Sequence, residues 1–277
     1  MDAVSYRKIA VASTFSPRFE QVLAEAKRVR DRFGAELHLI YVGARTAETD
    51  QRFAVALAEI GLPANSLIHY QDGPPADSIL KAARESEVEL LIAGALERTM
   101  VLRSFLGNVA RVLVREAKCS VMLFTKPERA PKPLRRIAFY VPGYSAHARG
   151  SLQRAMRLAE SEGSESLYVL RVYSSFDAAR ATLQANQKTS GDEPIARTLE
   201  EEEKALEDFI ENAGATEVPI DARCLRSNTG FAASDFVQTV EADLLVVPVE
   251  ATGESDGIPA HIAWVTDVIP CNLWIIR

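Results

Sequence analysis

Two glycines carry the most suggestive chemistry in this sequence. Gly94 ends the apolar run Val88–Gly94, and Gly107 stands just before a second apolar stretch. Glycine lets a backbone approach phosphate oxygens closely and adopt positive φ. The first turn of a helix after Gly107 would also present N–H groups to an anion. Two interpretations stay open for the segment between the two glycines: a loop that lies against a phosphate group, or a collapsed loop that only packs.

The chain repeats this arrangement without the glycines. The run Ala242–Pro248 matches the run before Gly94, and Pro248 and Pro259 stand where the first copy has glycine. Proline fixes φ and has no N–H to donate to a phosphate. The same segment also carries three carboxylates, Glu250, Glu254 and Asp256. The second copy is therefore predicted not to bind phosphate.

Alternating strands and helices must position these segments. The predicted strands are Lys8–Ala12, Ala35–Val42, Ser66–Tyr70, Glu89–Ala93 and Val121–Phe124, then Arg136–Val141, Leu167–Val172, Val218–Cys224, Leu244–Val249 and Leu273–Ile276. Helical spacing of apolar residues predicts helices between them, including Glu48–Ile60, Phe105–Ala117, Phe231–Val240 and Ile258–Val268. The near-continuous apolar run Glu89–Ala93 is typical of a strand that is covered on both faces.

This alternation implies a parallel sheet with right-handed crossovers in each half of the chain. Ligands of such sheets bind outside the carboxyl ends of the strands. The loops after Ala12, Val42 and Ala93 are therefore the predicted binding loops.

A proline-rich segment divides the two copies. Thr125–Pro133 has the composition of an extended linker, which predicts domains at residues 1–127 and 134–277. In the second domain, the polar segment Ser174–Pro194 is predicted to be a loop with at most a short helix. The acidic run Glu200–Glu203 is predicted to be a solvated helix face.

Composition limits the classes of partner. The chain has 277 residues, 47% of them hydrophobic, which is enough for two domains with cores of their own. A net charge of −6 argues against nucleic acid and anionic membranes, because both require a concentrated basic face. The segment Met1–Lys8 has no apolar signal sequence, and no apolar run is long enough to span a bilayer. A cytoplasmic protein is expected.

Cysteines and histidines give no sign of a disulfide or a metal site. Cys119, Cys224 and Cys271 make an odd count without CxxC spacing, which favours reduced, buried thiols. The four histidines lack the spacing of zinc ligands. His38 is expected to be a core residue of a strand. For His69, at the end of the third strand, packing and a place in the binding pocket both remain open.

Enzyme motifs are absent from the sequence. It contains no G-x-S-x-G elbow, no P-loop and no G-x-G-x-x-G. Ser13 and Ser16 are interpreted as turn and N-cap residues, and Pro17 suits the first turn of the helix that follows. No set of residues predicts a catalytic reaction.

Taken with their order and spacing, these segments resemble the universal stress protein family. The parts that carry the resemblance, which covers nearly the whole chain, are Ile9–Pro17, Gly34–Val42, the pair Gly73-Pro74 and Leu90–Phe124. The resemblance is to a tandem member with two such domains. It implies an α/β fold of two doubly wound parallel-sheet domains, Rossmann-like and similar to adenine nucleotide alpha hydrolases, that form an intrachain pseudo-dimer.

Domains of this family pair through the strand that ends each unit. In this chain those strands are Ser120–Phe124 and Asn272–Ile276. Their mutual pairing would cover two exposed sheet edges. Whether two chains also form a homodimer is left open.

Nucleotide-binding members of the family wrap ATP phosphates with Gly, two residues, Gly, nine residues, then Gly and Ser or Thr. Gly94 and Gly107 match the outer glycines, but Glu97 replaces the middle glycine and Asn108 replaces the hydroxyl residue. Thr14 also stands where such members have Asp. These departures put the match in doubt at three positions.

Charge in this segment has two opposite effects. Glu97 is expected to weaken triphosphate binding, because like charges repel strongly in a partly desolvated site. Arg98 and Arg103 lie in the same segment, where they would neutralise the carboxylate or contact phosphates. The resemblance implies a nucleotide-binding set in the first domain: Ala12, Ser13, Thr14, Val42, Gly94, Arg98, Gly107, Asn108 and Val109.

The expected function is that of a non-enzymatic stress protein that acts through binding. The implied ligand is ATP or AMP, with Mg²⁺ if it is ATP, and the implied further partner is an unidentified protein. Two alternatives remain open. One is a protein-interaction scaffold with no nucleotide, and the other is an ATP-hydrolysing enzyme, which the missing base and hydroxyl disfavour.

Overall fold

The computed structural model describes residues 5–13, 15–95, 98–100, 103–174, 197–250, 258, 260–266 and 271–277. In the first half the strands are β1 (Lys8–Ser13), β2 (Glu36–Val42), β3 (Ile68–Gln71), β4 (Leu90–Gly94), β5 (Arg98–Met100), β6 (Arg103–Phe105) and β7 (Ser120–Phe124). The helices are α1 (Phe19–Phe33), α2 (Ala47–Glu59), α3 (Pro75–Glu85) and α4 (Asn108–Glu116).

The second half repeats this order. Its strands are β8 (Arg136–Tyr140), β9 (Ser166–Tyr173), β10 (Ile220–Arg226), β11 (Leu244–Pro248) and β12 (Asn272–Ile276). Its helices are α5 (Ala146–Glu162), α6 (Leu199–Ala213), α7 (Phe231–Thr239) and a 3₁₀ helix (Ala260–Thr266).

All strands except the β5–β6 hairpin lie in one sheet, in the order β10-β9-β8-β11-β12-β7-β4-β1-β2-β3. Pairing is parallel within each half. The halves meet where β12 pairs antiparallel with β7, with Trp274 opposite Met122. The fold is the predicted α/β arrangement of two doubly wound parallel sheets, and the expected pairing of the two last strands is present.

Helices cover both faces of this sheet, as the apolar run in β4 predicts. Leu90 and Ile92 pack into the layer that contains α1, whereas Leu91 and Ala93 pack into the layer that contains α3 and α4. Side chains alternate between the faces of a strand, so a strand buried on both faces needs apolar residues throughout. All four residues are at most 5% exposed.

A buried charge cluster joins the halves beside the strand seam. The side chain of Glu162 in α5 is 0% exposed and accepts contacts from Arg28 at 2.7 Å and Arg32 at 3.0 Å, both in α1. The backbone N–H of Leu134 donates to the same carboxylate at 3.0 Å. A buried carboxylate requires such partners, because its desolvation is otherwise very costly. The cluster therefore fixes α5 against α1.

Several predicted boundaries are wrong near the candidate site. Residues 103–105 form a strand, so the helix predicted at Phe105–Ala117 begins only at Asn108. Gly107, which has extended backbone angles, is its N-cap. Helix α1 begins at Phe19 rather than at Pro17, with Arg18 as its N-cap and no side-chain cap. Ser16 is therefore not the N-cap; only its backbone carbonyl accepts from the N–H of Phe19.

The second half also departs from prediction. Of the segment predicted as a helix at Ile258–Val268, the described residues form a 3₁₀ helix at Ala260–Thr266. In the acidic run of α6, Glu202 is not solvated but only 5% exposed. Arg171 and Tyr144 hold its carboxylate, at 2.7 Å and 2.9 Å. Except for Ser174, the polar segment predicted at Ser174–Pro194 lies outside the described residues.

Candidate functional site

A cavity of about 200 Å³ opens at the carboxyl edge of the sheet, between β1 and β4. The chain turns to opposite sides of the sheet after these two neighbouring strands, and such a switch point leaves a crevice. The cavity is lined by Val11, Ala12, Ser16, Arg18, Phe19, Val22, Pro75, Ile79, Ala93, Gly94, Ala95, Val109, Ala110, Leu113 and Pro127. Its walls are mainly apolar.

Small residues at the strand ends keep this crevice open. Ala12 and Gly94 both line the cavity near the ends of their strands. A Cβ atom at Gly94 would lie 2.9 Å from Cγ2 of Val22 in α1. Glycine at this position is therefore required by close helix packing, in addition to any approach of a ligand.

The beginning of α4 offers hydrogen-bond donors at the cavity. No side chain caps this helix, whose N-cap is Gly107. The first N–H groups of a helix have no partners within it, and together with the helix dipole they attract anions. Val109, in this first turn, lines the cavity and is 38% exposed.

The structure brings only part of the predicted set together. Ala12, Gly94 and Val109 line the cavity. Gly107 and Asn108 begin α4 beside it, with the side chain of Asn108 exposed. Val42 ends β2 at the same sheet edge but does not line the cavity.

The remaining predicted residues are described less fully. Ser13 ends β1 and Arg98 begins β5, so the structure places their backbones but not their side chains. Thr14 and Glu97 lie outside the described residues, as does Pro259 in the second half.

Sequence reasoning missed the contribution of α1 and of the linker. Arg18 lines the cavity, and its Nη1 donates to the backbone oxygen of Thr125 at 3.2 Å. Pro127, from the linker, also lines the cavity. A polar residue directly after Pro17 was a weak signal for Arg18, but nothing local to the sequence places the linker above β1.

The equivalent position in the second half is filled. Ile9 in β1 and Ile137 in β8 pair with the first residues of β4 and β11, respectively. Ala12 and Tyr140 each lie three residues further along their strands, so Tyr140 is the counterpart of Ala12. Leu90 and Leu244 likewise pair with the first residues of β7 and β12. Gly94 and Pro248 each lie four residues after these leucines, so Pro248 is the counterpart of Gly94. Larger residues thus stand at both strand ends.

Trp264 completes this filling. Its indole packs edge-on against the ring of Tyr140, with centroids 5.6 Å apart, and is 6% exposed. A Cβ atom at Gly230, the N-cap of α7, would overlap the same indole. The indole therefore lies between the end of β8 and the start of α7, where the first half has its cavity between β1 and α3.

His69 does not line the cavity. Its Nε2 lies 3.0 Å from Nδ1 of His38 and its Nδ1 lies 3.3 Å from the hydroxyl of Ser86, at the end of α3. The two rings stack with centroids 5.2 Å apart. His38 is 4% exposed, which confirms it as a core residue. Burial, followed by the charges of His38 and Lys8, lowers the pKa of His69.

The chemistry available at the cavity is that of binding. Among the described residues that line the cavity, Ser16 and Arg18 have polar side chains, and none of these residues is a carboxylate, histidine or cysteine. No cluster of three or more histidine, cysteine, aspartate or glutamate residues occurs in the described part of the chain. The three cysteines are free, but they are partly rather than fully buried. Burial raises the pKa of the Cys119 thiol to about 11, so it stays protonated at neutral pH.

None of the helices in the described ranges is long and apolar enough to cross a membrane.

Comparison with known proteins gives consistent matches. The model of the universal stress protein family matches residues 5–125. A universal stress protein of Methanocaldococcus jannaschii is 25% identical in an alignment of 144 positions that covers 45% of this chain and 85% of that protein.

Two solved structures are similar over almost the whole chain. One, a protein of unknown function from Pseudomonas aeruginosa, has a TM-score of 0.72 at 16% identity and covers 99% of this chain and 93% of its own. The other, a universal stress protein from Archaeoglobus fulgidus, has a TM-score of 0.67 at 13% identity and covers 98% of both chains. At these identities the likeness concerns the fold of both halves.

Proposed function

We propose that this chain, whose residues 5–125 match the model of the universal stress protein family, is a cytoplasmic binding protein whose first half holds one adenine mononucleotide. The observation that carries the proposal is the cavity between β1 and β4, with the uncapped start of α4 beside it. A nucleotide needs apolar walls for its base and sugar and hydrogen-bond donors for its phosphate. This site offers both.

The donors suit a phosphate in both charge and position. The N–H groups in the first turn of α4 favour an anion, and the guanidinium of Arg18 adds a positive charge on the opposite wall. Apolar contacts from Ile79 and Leu113 would cover the base.

The size of the cavity favours a mononucleotide over ATP with Mg²⁺. Ligand pockets typically measure about 300–1,000 Å³, whereas this one measures about 200 Å³. Glu97 adds a carboxylate to the segment that would surround additional phosphates, and like charges would raise the cost of binding them.

The proposed function is not enzymatic. Hydrolysis of a nucleotide requires a group that positions or deprotonates water within hydrogen-bond reach of the phosphate. Among the lining residues of this cavity, Ser16 and Arg18 are the polar side chains, and neither is a general base at neutral pH. A binding role fits these residues better.

The test begins with the purified protein. Denaturation should release AMP in a ratio approaching one per chain, which chromatography with mass detection identifies. Calorimetric titration of nucleotide-free protein should then give one AMP site, with ATP and Mg²⁺ binding more weakly. The variant Val109→Trp fills the cavity from an exposed position and should weaken AMP binding at least tenfold.

Leu67→Trp is the matched control. Leu67 is 50% exposed and does not line the cavity, so this variant should bind AMP as the wild type does. Absence of AMP binding in both the wild type and Glu97→Gly would refute the nucleotide role and leave the interaction scaffold. Steady conversion of ATP to ADP or AMP by pure protein would refute the non-enzymatic role.

A further inference from the structure

A second cavity, of about 480 Å³, lies between the N-terminal end of α1 and the middle of α2. It adjoins the first cavity, since Ser16 and Phe19 line both. It differs from the first in its lining, which consists of Phe15, Ser16, Pro17, Phe19, Glu20, Gln51, Arg52, Val55, Ala56 and Arg129. This volume is ordinary for a small-molecule site.

Packed aromatic rings form the inner wall of this second cavity. The ring of Phe15 lies 5.2 Å from that of Phe19, 5.1 Å from that of Tyr41 and 4.7 Å from that of Phe53, centroid to centroid. Such mutual packing restricts the rotation of each ring. The wall is therefore preorganised, and Val55, which is 47% exposed, extends it as an apolar rim.

Arg52 places a positive charge on this wall without a carboxylate beside it. Its guanidinium carbon lies 3.8 Å from the ring centroid of Phe15. No carboxylate in the described ranges forms an ion pair with Arg52, whereas Arg129 pairs with Glu20 in the same cavity. A stacked guanidinium keeps its N–H groups available at its edge, where they match a carboxylate or phosphate.

The corresponding region of the second half supplies its own anion. There Arg171 lies over the ring of Tyr144, at 5.5 Å. The carboxylate of Glu202 in α6 accepts from Arg171 at 2.7 Å and from the Tyr144 hydroxyl at 2.9 Å. The Glu202 side chain is 6% exposed, and Arg197, which also lies over the Tyr144 ring at 5.2 Å, contacts the same carboxylate at 3.5 Å.

In the first half, the carboxylate among the described lining residues, Glu20, pairs with Arg129, and the guanidinium of Arg52 on the Phe15 ring has no carboxylate of its own in the described ranges. We propose that the second cavity binds a planar aromatic anion, which supplies the missing negative charge to Arg52. Its ring packs on Phe19 and Val55, and its anionic group accepts hydrogen bonds from Arg52 and Gln51. This site is separate from the proposed nucleotide cavity and does not depend on it.

Four small probes test the site on the full chain. Benzoate and phenyl phosphate combine a ring with an anion, phenol has the ring alone, and cyclohexanecarboxylate has the anion alone. Ligand-observed saturation-transfer NMR and calorimetry measure each affinity. Benzoate or phenyl phosphate should bind at least tenfold more tightly than phenol and cyclohexanecarboxylate, and the preference between the two shows whether the anion is a carboxylate or a phosphate.

Arg52→Gln should weaken the better aromatic anion at least tenfold. Arg45→Gln is the matched control, because Arg45 also lies over a ring, that of Tyr70, but pairs with Asp50 at 3.1 Å. Val55→Glu changes an exposed rim residue, and its added carboxylate should repel the ligand even if Arg52→Gln fails to fold. Binding should persist in Val109→Trp, whose change lies in the other cavity.

Three results would overturn the proposal: equal binding of phenol and the aromatic anions, undiminished binding in Arg52→Gln or Val55→Glu, or loss of aromatic-anion binding in Val109→Trp. The last result would place the probe in the cavity between β1 and β4. The AMP titration of the same variants separates this outcome from failure of the nucleotide proposal.

Discussion

At the carboxyl edge of the sheet, the first half of the chain keeps a cavity where the second half packs aromatic side chains. Ala12 ends β1 beside this cavity, whereas its counterpart Tyr140 contacts the indole of Trp264. The strands pair in the same register in both halves. Two copies of one fold therefore differ at this edge in whether a cavity is present, because of the side-chain volume at a few positions.

Charge shows the same contrast on the layer that contains α1 and α2. In the second half, Glu202 neutralises Arg171 inside the protein. In the first half, Arg52 faces an open cavity without an ion-pair partner in the described ranges. Trp264 fills the space and Glu202 pairs with Arg171 in the second half, whereas in the described part of the first half the cavity is open and Arg52 has no ion-pair partner.

The largest expected effect comes from removing the indole of Trp264, which fills the switch point of the second half. Trp264→Ala should lower the free energy of unfolding by about 3–5 kcal/mol, because it removes a buried indole and leaves a cavity. Urea denaturation measures the loss, and added indole should restore part of it. The variant should not gain an AMP site, since Pro248 and the acidic segment remain.

Phe231→Ala is the control for this change. Phe231 begins α7 next to Gly230 but is 39% exposed, so its loss should cost less than about 1 kcal/mol. A second AMP site in Trp264→Ala would show that the indole of Trp264 alone prevents AMP from binding to the second half.

A smaller effect is expected from Glu97 in the first half. Glu97→Gly should raise the affinity for ATP severalfold, because it removes a carboxylate and adds backbone freedom to the segment between Gly94 and Gly107. Glu97→Gln removes the charge alone and separates the two contributions. Calorimetry in the presence of Mg²⁺ measures both. An unchanged ATP affinity in both variants would mean that another feature excludes the triphosphate.

The smallest effect concerns pH. Burial and the charges of His38 and Lys8 lower the pKa of His69 in the folded state. The unfolded chain therefore takes up this proton first, near the ordinary histidine pKa of about 6.5. Stability should fall as pH decreases through that value towards the lower folded pKa. In the second half, strand register places Tyr168 and Arg223 at the equivalent positions, so this histidine pair is a feature of the first half.

His69→Asn should reduce the stability difference between pH 7.5 and pH 5.5, measured by urea denaturation at both values. Lys8→Met should reduce it partly, because it removes one of the charges that lower the pKa of His69. If His69→Asn retains the full wild-type difference, the histidine pair does not account for it.

The elements of the fold were predictable because their signals are local. Helix α1 ends where Gly34 adopts φ 64°, as its position after the apolar pattern predicts. The apolar run of β4 indicated burial on both faces. The predicted start of α4 was wrong because the residues before it form a strand of the β5–β6 hairpin. The helix therefore starts at Asn108 rather than at Phe105.

The candidate site was only partly predictable. Ala12, Gly94 and Val109 follow from strand ends and the glycine pattern. Arg18 and Pro127 could not be predicted as lining residues, because their position depends on the contact between the start of α1 and the linker, which are distant in sequence. Glu202 was expected in solvent because a run of glutamates is usually solvated, and its contacts with Arg171, Tyr144 and Arg197 account for its burial.

The sequence by itself determined the repeated α/β pattern, the family resemblance and the difference between glycine and proline at the two strand ends. Each of these depends on residue type and short-range spacing. Only the tertiary structure decided that Trp264 fills one switch point, that Arg52 lies on the ring of Phe15 and that Glu162 joins the halves. Filling of space and pairing of charge depend on residues that are distant in sequence, and their positions are fixed only when the sheet is assembled.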